Sequence, residues 1–186
     1  MQNTVVAFTV SYKGLTNVLG SWADISEAFH PASASTPPPR HKYNAIWDTG
    51  ATGTAITQKV ADDCALKPIG MAIVQTAKGQ MHTPVYLANI YLPQNVCIYN
   101  LRVTLTDIRN ADVLIGMDII SKGDFVVTNK DGKTAFSFRV PSCDCIDFVK
   151  LPPPVSKPMH KIGRMPRVLV VVVKSIKSAA VSKSRT

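Results

Sequence analysis

Short runs of alternating or β-branched apolar residues, separated by turn residues, recur along most of the chain and predict a mostly β fold. Residues 4–10 read as a first strand and residues 13–19 as a second. Residues 71–92 read as strand, turn and strand, whereas residues 96–108 fit either one bent strand or a strand pair. A further hairpin is predicted at 124–140, because Asp131-Gly132 is a strong turn signal.

Helical signals are few. Apolar residues between 56 and 68 recur near helical spacing until Pro68, and a short helix is predicted after Gly116. Residues 22–30 fit a short helix or a loop, and the Pro/Ser-rich stretch 30–41 predicts an exposed, extended connection. We therefore expect one β domain with one or two short helices.

Composition supports a packed domain followed by a different kind of segment. Of the 186 residues, 46% are hydrophobic, which is enough for a core. The formal net charge is +9, but residues 141–186 hold nine Lys/Arg and two acids, so most of the charge lies there. We predict a folded domain over 1–141 and a basic, Pro-containing, disordered tail over 142–186. The tail could contact nucleic acid or an acidic surface, although we favour a solvated tail because it holds no aromatic residue after Phe148.

The cysteines and histidines predict neither a disulfide framework nor a metal site. Cys64, Cys97, Cys143 and Cys145 show no zinc spacing with the scattered histidines, so we expect free thiols, no metal and no cofactor. The first ten residues lack a basic segment followed by a long apolar run, and the run 168–173 is too short to span a bilayer. These features predict a cytoplasmic protein without a membrane segment.

One acidic residue stands at an unusual place. Asp48 follows the apolar run Ala45-Ile46-Trp47 and precedes small residues, in the sequence Trp-Asp-Thr-Gly-Ala-Thr. Ordinary turn chemistry accounts for an isolated Asp-Thr-Gly. Here, however, a hairpin with a glycine near its tip follows, and then the run Val113-Leu114-Ile115-Gly116. A phosphate-binding loop is excluded because the spacing and the lysine of that motif are absent.

Together these features resemble the retropepsin-like aspartic proteases, single-lobe relatives of pepsin, over roughly residues 4–140. The resemblance implies a closed acid-protease barrel, with Asp48 as the catalytic aspartate and no cofactor. It also implies an active-site turn, a flap that closes over the substrate and an apolar motif beneath the site. The turn comprises Thr49, Gly50, Ala51 and Thr52; the flap comprises Ala77, Lys78, Gly79 and Gln80; the motif comprises Leu114, Ile115, Gly116 and Asp118.

The chemistry implied by the family needs two carboxylates that share one proton and one water. The chain supplies one Asp-Thr-Gly, so the resemblance implies a homodimer, formed through strands near the termini and the Asp48 turns, that cleaves peptide or protein substrates. Thr49 would hydrogen-bond across to the other half-site. The alternative function is a catalytically silent peptide-binding or dimerisation module whose tail binds nucleic acid or an acidic surface.

The sequence also departs from the family pattern. Many viral members carry an acid and an arginine that form an ion pair where this chain has Thr52 and Met117. Both partners are absent together, so no lone charge is left behind. The late hairpin at 124–140 resembles the bacterial and cellular members more than the short viral ones. Residues 11–43 form a longer segment than in the compact viral enzymes, and the resemblance assigns it no counterpart.

Overall fold

The strands form two sheets that share a core. The computed structural model describes residues 4–30, 32, 36–76, 79–150 and 172–173. In chain order, the strands and helices of these residues are β1 (Val6–Ser11), β2 (Leu19–Glu27), β3 (His41–Trp47), β4 (Ala55–Ile56), α1 (Gln58–Asp63), β5 (Pro68–Thr76), β6 (Gly79–Leu92), β7 (Val96–Leu105), β8 (Val113–Ile115), α2 (Met117–Ile120), β9 (Asp124–Thr128), β10 (Ala135–Val140) and β11 (Val172–Val173).

The larger sheet closes into a barrel. Its strand order is β2-β3-β8-β4-β7-β6-β5, and β2 also pairs with β6, so that six strands form a ring and β5 extends from it. The smaller sheet has the order β11-β1-β10-β9. This arrangement confirms the predicted mostly β, acid-protease-type barrel with two short helices.

An aromatic cluster joins the two sheets. The Trp47 ring stacks on Phe125 at 5.4 Å and lies 5.1 Å from Phe138, measured between ring centroids. Phe8 lies 5.9 Å from Trp47 on the same side. The Trp47 indole N–H donates to Ser21 Oγ at 3.0 Å, which satisfies the polar atom of a side chain that is only 7% exposed. Trp47 is therefore part of the core.

Two predictions in the first third of the chain were wrong. Residues 22–27 are neither a short helix nor a loop, because strand β2 runs from Leu19 to Glu27 and buries Ser21, Ala23 and Ile25 alternately; only residues 28–30 are irregular. Residues 13–18 are not a strand. The Ser, Asp and Glu of β2 disfavour a strand locally, but pairing with β3 on one edge and with β6 on the other overrides that preference.

The other elements lie close to their predicted places. Residues 96–108 contain one long strand, β7, and Asp131, at φ 54°, lies in the turn between β9 and β10. Helix α1 (Gln58–Asp63) is shorter than predicted. Ile56 belongs to strand β4, and Ala65 has a left-handed backbone conformation, φ 49°, which a continuing helix does not allow. Residues 36–40 are mostly exposed and irregular, as expected for the Pro/Ser-rich connection. The predicted tail contributes β11, and its other residues from 151 onward lie outside the described residues.

The Asp124 carboxylate binds the segment 142–144, which follows β10. It accepts hydrogen bonds from Arg139 Nε at 2.9 Å, from the backbone N–H of Cys143 at 2.9 Å and from the Ser142 hydroxyl. The Asp144 backbone N–H, at 3.4 Å, adds a weaker contact. The Cys143 N–H, the Ser142 hydroxyl and the Arg139 guanidinium together hold the pKa of Asp124 well below its usual range.

This network predicts a pH-dependent contribution to stability. Because the pKa of Asp124 is depressed in the folded state, its contribution is present above the ordinary aspartate pKa of about 3.9 and is lost as the pH falls below it. We expect the urea midpoint of the wild type to fall more steeply than that of Asp124→Asn between about pH 5 and pH 2. The exposed Asp107→Asn serves as the control. Parallel curves for the wild type and Asp124→Asn would contradict this assignment.

Candidate active site

The end of β3 places Asp48. Strand β3 pairs in parallel with β8, with Trp47 opposite Ile115, and the Asp48 backbone N–H donates to the Ile115 carbonyl at 3.0 Å. Ile115 is fully buried and Trp47 nearly so. The chain therefore leaves the core at Asp48, whose side chain is half-buried, while Thr49 and Gly50 are exposed.

The Asp48 carboxylate is held by its own turn. Its Oδ1 accepts the Gly50 backbone N–H at 2.8 Å, and its backbone carbonyl accepts the Ala51 N–H at 3.3 Å. This local bonding orients the carboxylate at the surface of the turn. Within the described residues, no second carboxylate hydrogen-bonds to Asp48, so one chain presents one acidic group here.

The turn is joined to the start of α2 by backbone hydrogen bonds. The Met117 N–H donates to the Ala51 carbonyl at 2.8 Å, and the Asp118 N–H donates to the Thr52 carbonyl at 3.2 Å. These bonds satisfy backbone groups of a loop that has no strand partner. The predicted motif beneath the site and the Asp48 turn are therefore brought into contact.

The side chains of Thr54 and Asp118 also connect the two segments. The Asp118 carboxylate accepts the Thr54 backbone N–H at 2.9 Å and the Thr54 hydroxyl at 2.7 Å. The Thr54 hydroxyl oxygen accepts the Gly116 backbone N–H at 3.2 Å. Thr54 is 1% exposed, so this pairing satisfies polar groups that water does not reach.

This connection joins the two segments that carry Thr52 and Met117, where the viral ion pair is missing. Sequence reasoning assigned Asp118 to the structural motif but missed Thr54. The available signal was a hydroxyl residue immediately before the buried pair Ala55-Ile56, because a buried hydroxyl requires a partner.

Gly116 allows the two segments to approach closely. A Cβ atom at this position would lie 2.5 Å from both the carbonyl carbon and the carbonyl oxygen of Gly53. Because these are backbone atoms, no side-chain rotation could relieve the clash. The glycine is therefore required by the contact beneath the Asp48 turn.

The predicted flap is a long hairpin. Strands β5 and β6 pair along their length: Pro68 lies opposite Tyr86 at the base, and Thr76 lies opposite Gly79 at the far end. Gly79 has φ 112°. Gln80 lies opposite Gln75 and is exposed. Ala77 and Lys78 at the predicted tip lie outside the described residues. The assignment of all four residues to a flap stays a prediction.

The root of the hairpin is connected to the Asp48 loop through β7. The Thr83 hydroxyl donates to the Leu105 carbonyl at 2.6 Å, and the Thr104 N–H donates to the Thr54 carbonyl at 3.2 Å. The face of the hairpin that carries Thr83 also carries the cross-strand pair Val74 and Met81. Met81 is 42% exposed, so this face offers apolar surface near the end of the hairpin.

No metal centre accompanies the site in the described part of the chain. Groups of three or more His, Cys, Asp or Glu side chains that could hold a metal ion are absent there. The four cysteines are free: Cys64 is buried, Cys97 is half-buried, and Cys143 and Cys145 are exposed. No helix among the described residues is long and apolar enough to cross a membrane.

Comparison with known proteins identifies the family of the segment that carries this site. Residues 40–122, from the start of β3 through α2, match the family described as "gag-polyprotein putative aspartyl protease". These residues include the Asp48 turn, the hairpin and the Gly116 segment. Residues 40–122 belong to the retropepsin-like aspartic protease family.

Solved structures with a similar chain path come from bacteria and a virus. A retropepsin-like aspartic protease from Rickettsia conorii is 10% identical, with a TM-score of 0.43, covering 74% of this chain and 96% of that one. The simian foamy virus (mac) protease is 20% identical, with a TM-score of 0.36, covering 56% and 91%. Lpg0085 of Legionella pneumophila, a protein of unknown function, is 18% identical, with a TM-score of 0.32, covering 56% and 83%. No curated protein matches the sequence.

The stability of the fold should depend on Asp118. Asp118→Ala leaves the Thr54 N–H and hydroxyl without their acceptor in a buried position, and we expect the free energy of unfolding to fall by about 2–4 kcal/mol. Asp118→Asn keeps one acceptor oxygen and should lose less. Urea unfolding measures both, with the exposed Asp107→Ala as the matched control. Equal unfolding midpoints for Asp118→Ala and Asp107→Ala would show that the Thr54 contact contributes little.

Proposed function

We propose that this protein is an aspartic endopeptidase that acts as a homodimer, with Asp48 of each chain forming a shared catalytic pair. The observation that carries this proposal is the Asp48 turn: a half-buried carboxylate, held by the Gly50 N–H, at the end of a core strand. The family assignment of residues 40–122 supports the same chemistry.

In hydrolysis, one carboxyl group of the pair would act as general base and the other as general acid. Two like charges close together cannot both ionise comfortably, so one carboxyl keeps a proton while the other stays ionised. The ionised member removes a proton from a water molecule as that water attacks the scissile carbonyl carbon. The protonated member donates to the carbonyl oxygen. No cofactor takes part in this scheme.

The substrate would be an extended peptide held between the hairpin and the floor of the site. Extended peptides bind through backbone hydrogen bonds, and alternate side chains enter pockets. Val74 and Met81, on the same hairpin face as Thr83, supply apolar surface for those side chains. This surface supports a preference for hydrophobic residues beside the scissile bond.

A cytoplasmic location fits the cysteines. All four are free, and Cys143 and Cys145 are exposed, as thiols kept in a reducing compartment would be. Cytoplasmic location and homodimer formation are both parts of this proposal.

The direct test compares the wild type with Asp48→Asn on a complex peptide mixture, from mildly acidic to neutral pH. The substitution keeps an oxygen that can accept the Gly50 N–H, so the fold should survive, while kcat/KM should fall by at least about a thousandfold. Circular dichroism and sizing provide the folding control. If both proteins cleave equally, Asp48 is not catalytic; if neither cleaves but both bind peptide as dimers, the silent binding module is the better function.

Mixing experiments test whether two chains share one site. When Asp48→Asn is added in equal amount to a fixed amount of wild type and subunits exchange, we expect about half of the activity to disappear, because mixed dimers hold one Asp48. A monomeric enzyme would keep its full activity. Adding Asp107→Asn instead should roughly double the total activity, because every dimer then holds two Asp48 side chains.

A further inference from the structure

The outer edge of β1 is occupied by a strand from the distant C-terminal segment. Strand β1 pairs with β10 along one edge, with Val6 opposite Val140 at one end and Ser11 opposite Ala135 at the other. On its other edge lies β11, parallel to it, with Thr9 opposite Val172 and Val10 opposite Val173. Among the described strands, β11 is the one that covers this edge.

An open edge at β1 would attract strands of other chains. An uncovered edge strand presents a row of unpaired N–H and C=O groups, to which another chain can add. The residues opposite β11 are also held from the β10 side: Val10 is 5% exposed, and the Thr9 hydroxyl hydrogen-bonds to Ser137 Oγ at 2.8 Å. Pairing with β10 therefore already gives β1 the extended backbone to which another strand can add.

The sequence around β11 suits this edge. Val172 and Val173 end the run Val-Leu-Val-Val-Val-Val at 168–173, which is rich in the β-branched residues that favour strands. Left uncovered, such a run would itself promote aggregation, and the flanking Arg167 and Lys174 are the kind of charges that limit it. Pairing β1 with the valine run thus covers both the open edge of the sheet and the aggregation-prone segment.

The connecting chain is long enough for both to belong to one molecule. After β10, the Asp124 contacts hold Ser142 and Cys143 on the β9 side of the sheet. Reaching the far edge of β1 requires crossing three strand spacings, roughly 15 Å. Residues 151–171 could cover roughly 70 Å if extended, so pairing within one chain is sterically easy.

We propose that the C-terminal segment is a built-in cover for the β1 edge, docking Val172–Val173 there in cis and so competing with a strand from a second copy of this chain. The basic tail then has a structural role besides any contact made by its charges. This inference goes beyond the protease function and does not require it, because strand pairing is independent of catalysis.

Hydrogen exchange on full-length chains tests the proposal. The double variant Val172→Pro/Val173→Pro removes both backbone N–H groups and disfavours strand pairing. We expect the β1 amides that point away from β10 to exchange at least about tenfold faster than in the parent, while those that point toward β10 stay unchanged. Val181→Pro, another tail valine outside β11, is the matched control. All chains carry Asp48→Asn, so that self-cleavage of the tail cannot imitate undocking.

Sedimentation of the same chains tests the competition. We expect the average mass of the double variant to rise with concentration more steeply than that of the parent or Val181→Pro. Unchanged exchange at the β1 edge in the double variant would overturn the docking, and faster exchange without added association would overturn the competition. Protection in the parent that grows with concentration would show docking between chains and would overturn the cis arrangement.

Discussion

Trp47 packs between the barrel and the smaller sheet. The position of Asp48, the next residue, is therefore fixed by the barrel strands and by the aromatic cluster. The Trp47 ring contacts Phe8, Phe125 and Phe138, and its indole N–H is held by Ser21. A displacement of Asp48 would require either opening this aromatic cluster or breaking the β3–β8 pairing. A side chain at the end of such a strand keeps its position, which the proposed catalysis by paired carboxylates requires.

Small residues and one carboxylate maintain the turn where an ion pair is missing. Gly116 lets its segment lie against Gly53, and this closeness puts Asp118 within reach of Thr54. A carboxylate that accepts two short hydrogen bonds from a buried threonine makes a contact within one chain. The viral ion pair and the Thr54–Asp118 pair thus connect the same two segments by different chemistry.

The parts of the fold that local chemistry specifies were predictable from the sequence. The Asp131-Gly132 turn, the strand before Asp48 and the short helix after Gly116 each have residues that favour one backbone conformation. Strand β2 was not predictable, because Ser21, Asp24 and Glu27 become strand residues only through their pairing with β3 and β6. The Thr54–Asp118 contact joins residues 64 positions apart, and no local pattern reports such a distance.

The smaller sheet poses a different physical problem from the barrel. Closure through β2 and β6 removes the edges of the ring, whereas the β1-β10-β9 sheet keeps two. At the β9 edge, Asp124 accepts hydrogen bonds from Arg139 and from the Cys143 backbone, so the chain after β10 lies against this edge. At the β1 end, the available partners are a strand of the same chain or a strand of another, and both would use the same backbone groups. In the proposed competition, whichever partner pairs with Thr9 and Val10 excludes the other. The C-terminal segment would then limit the association of two copies at this edge.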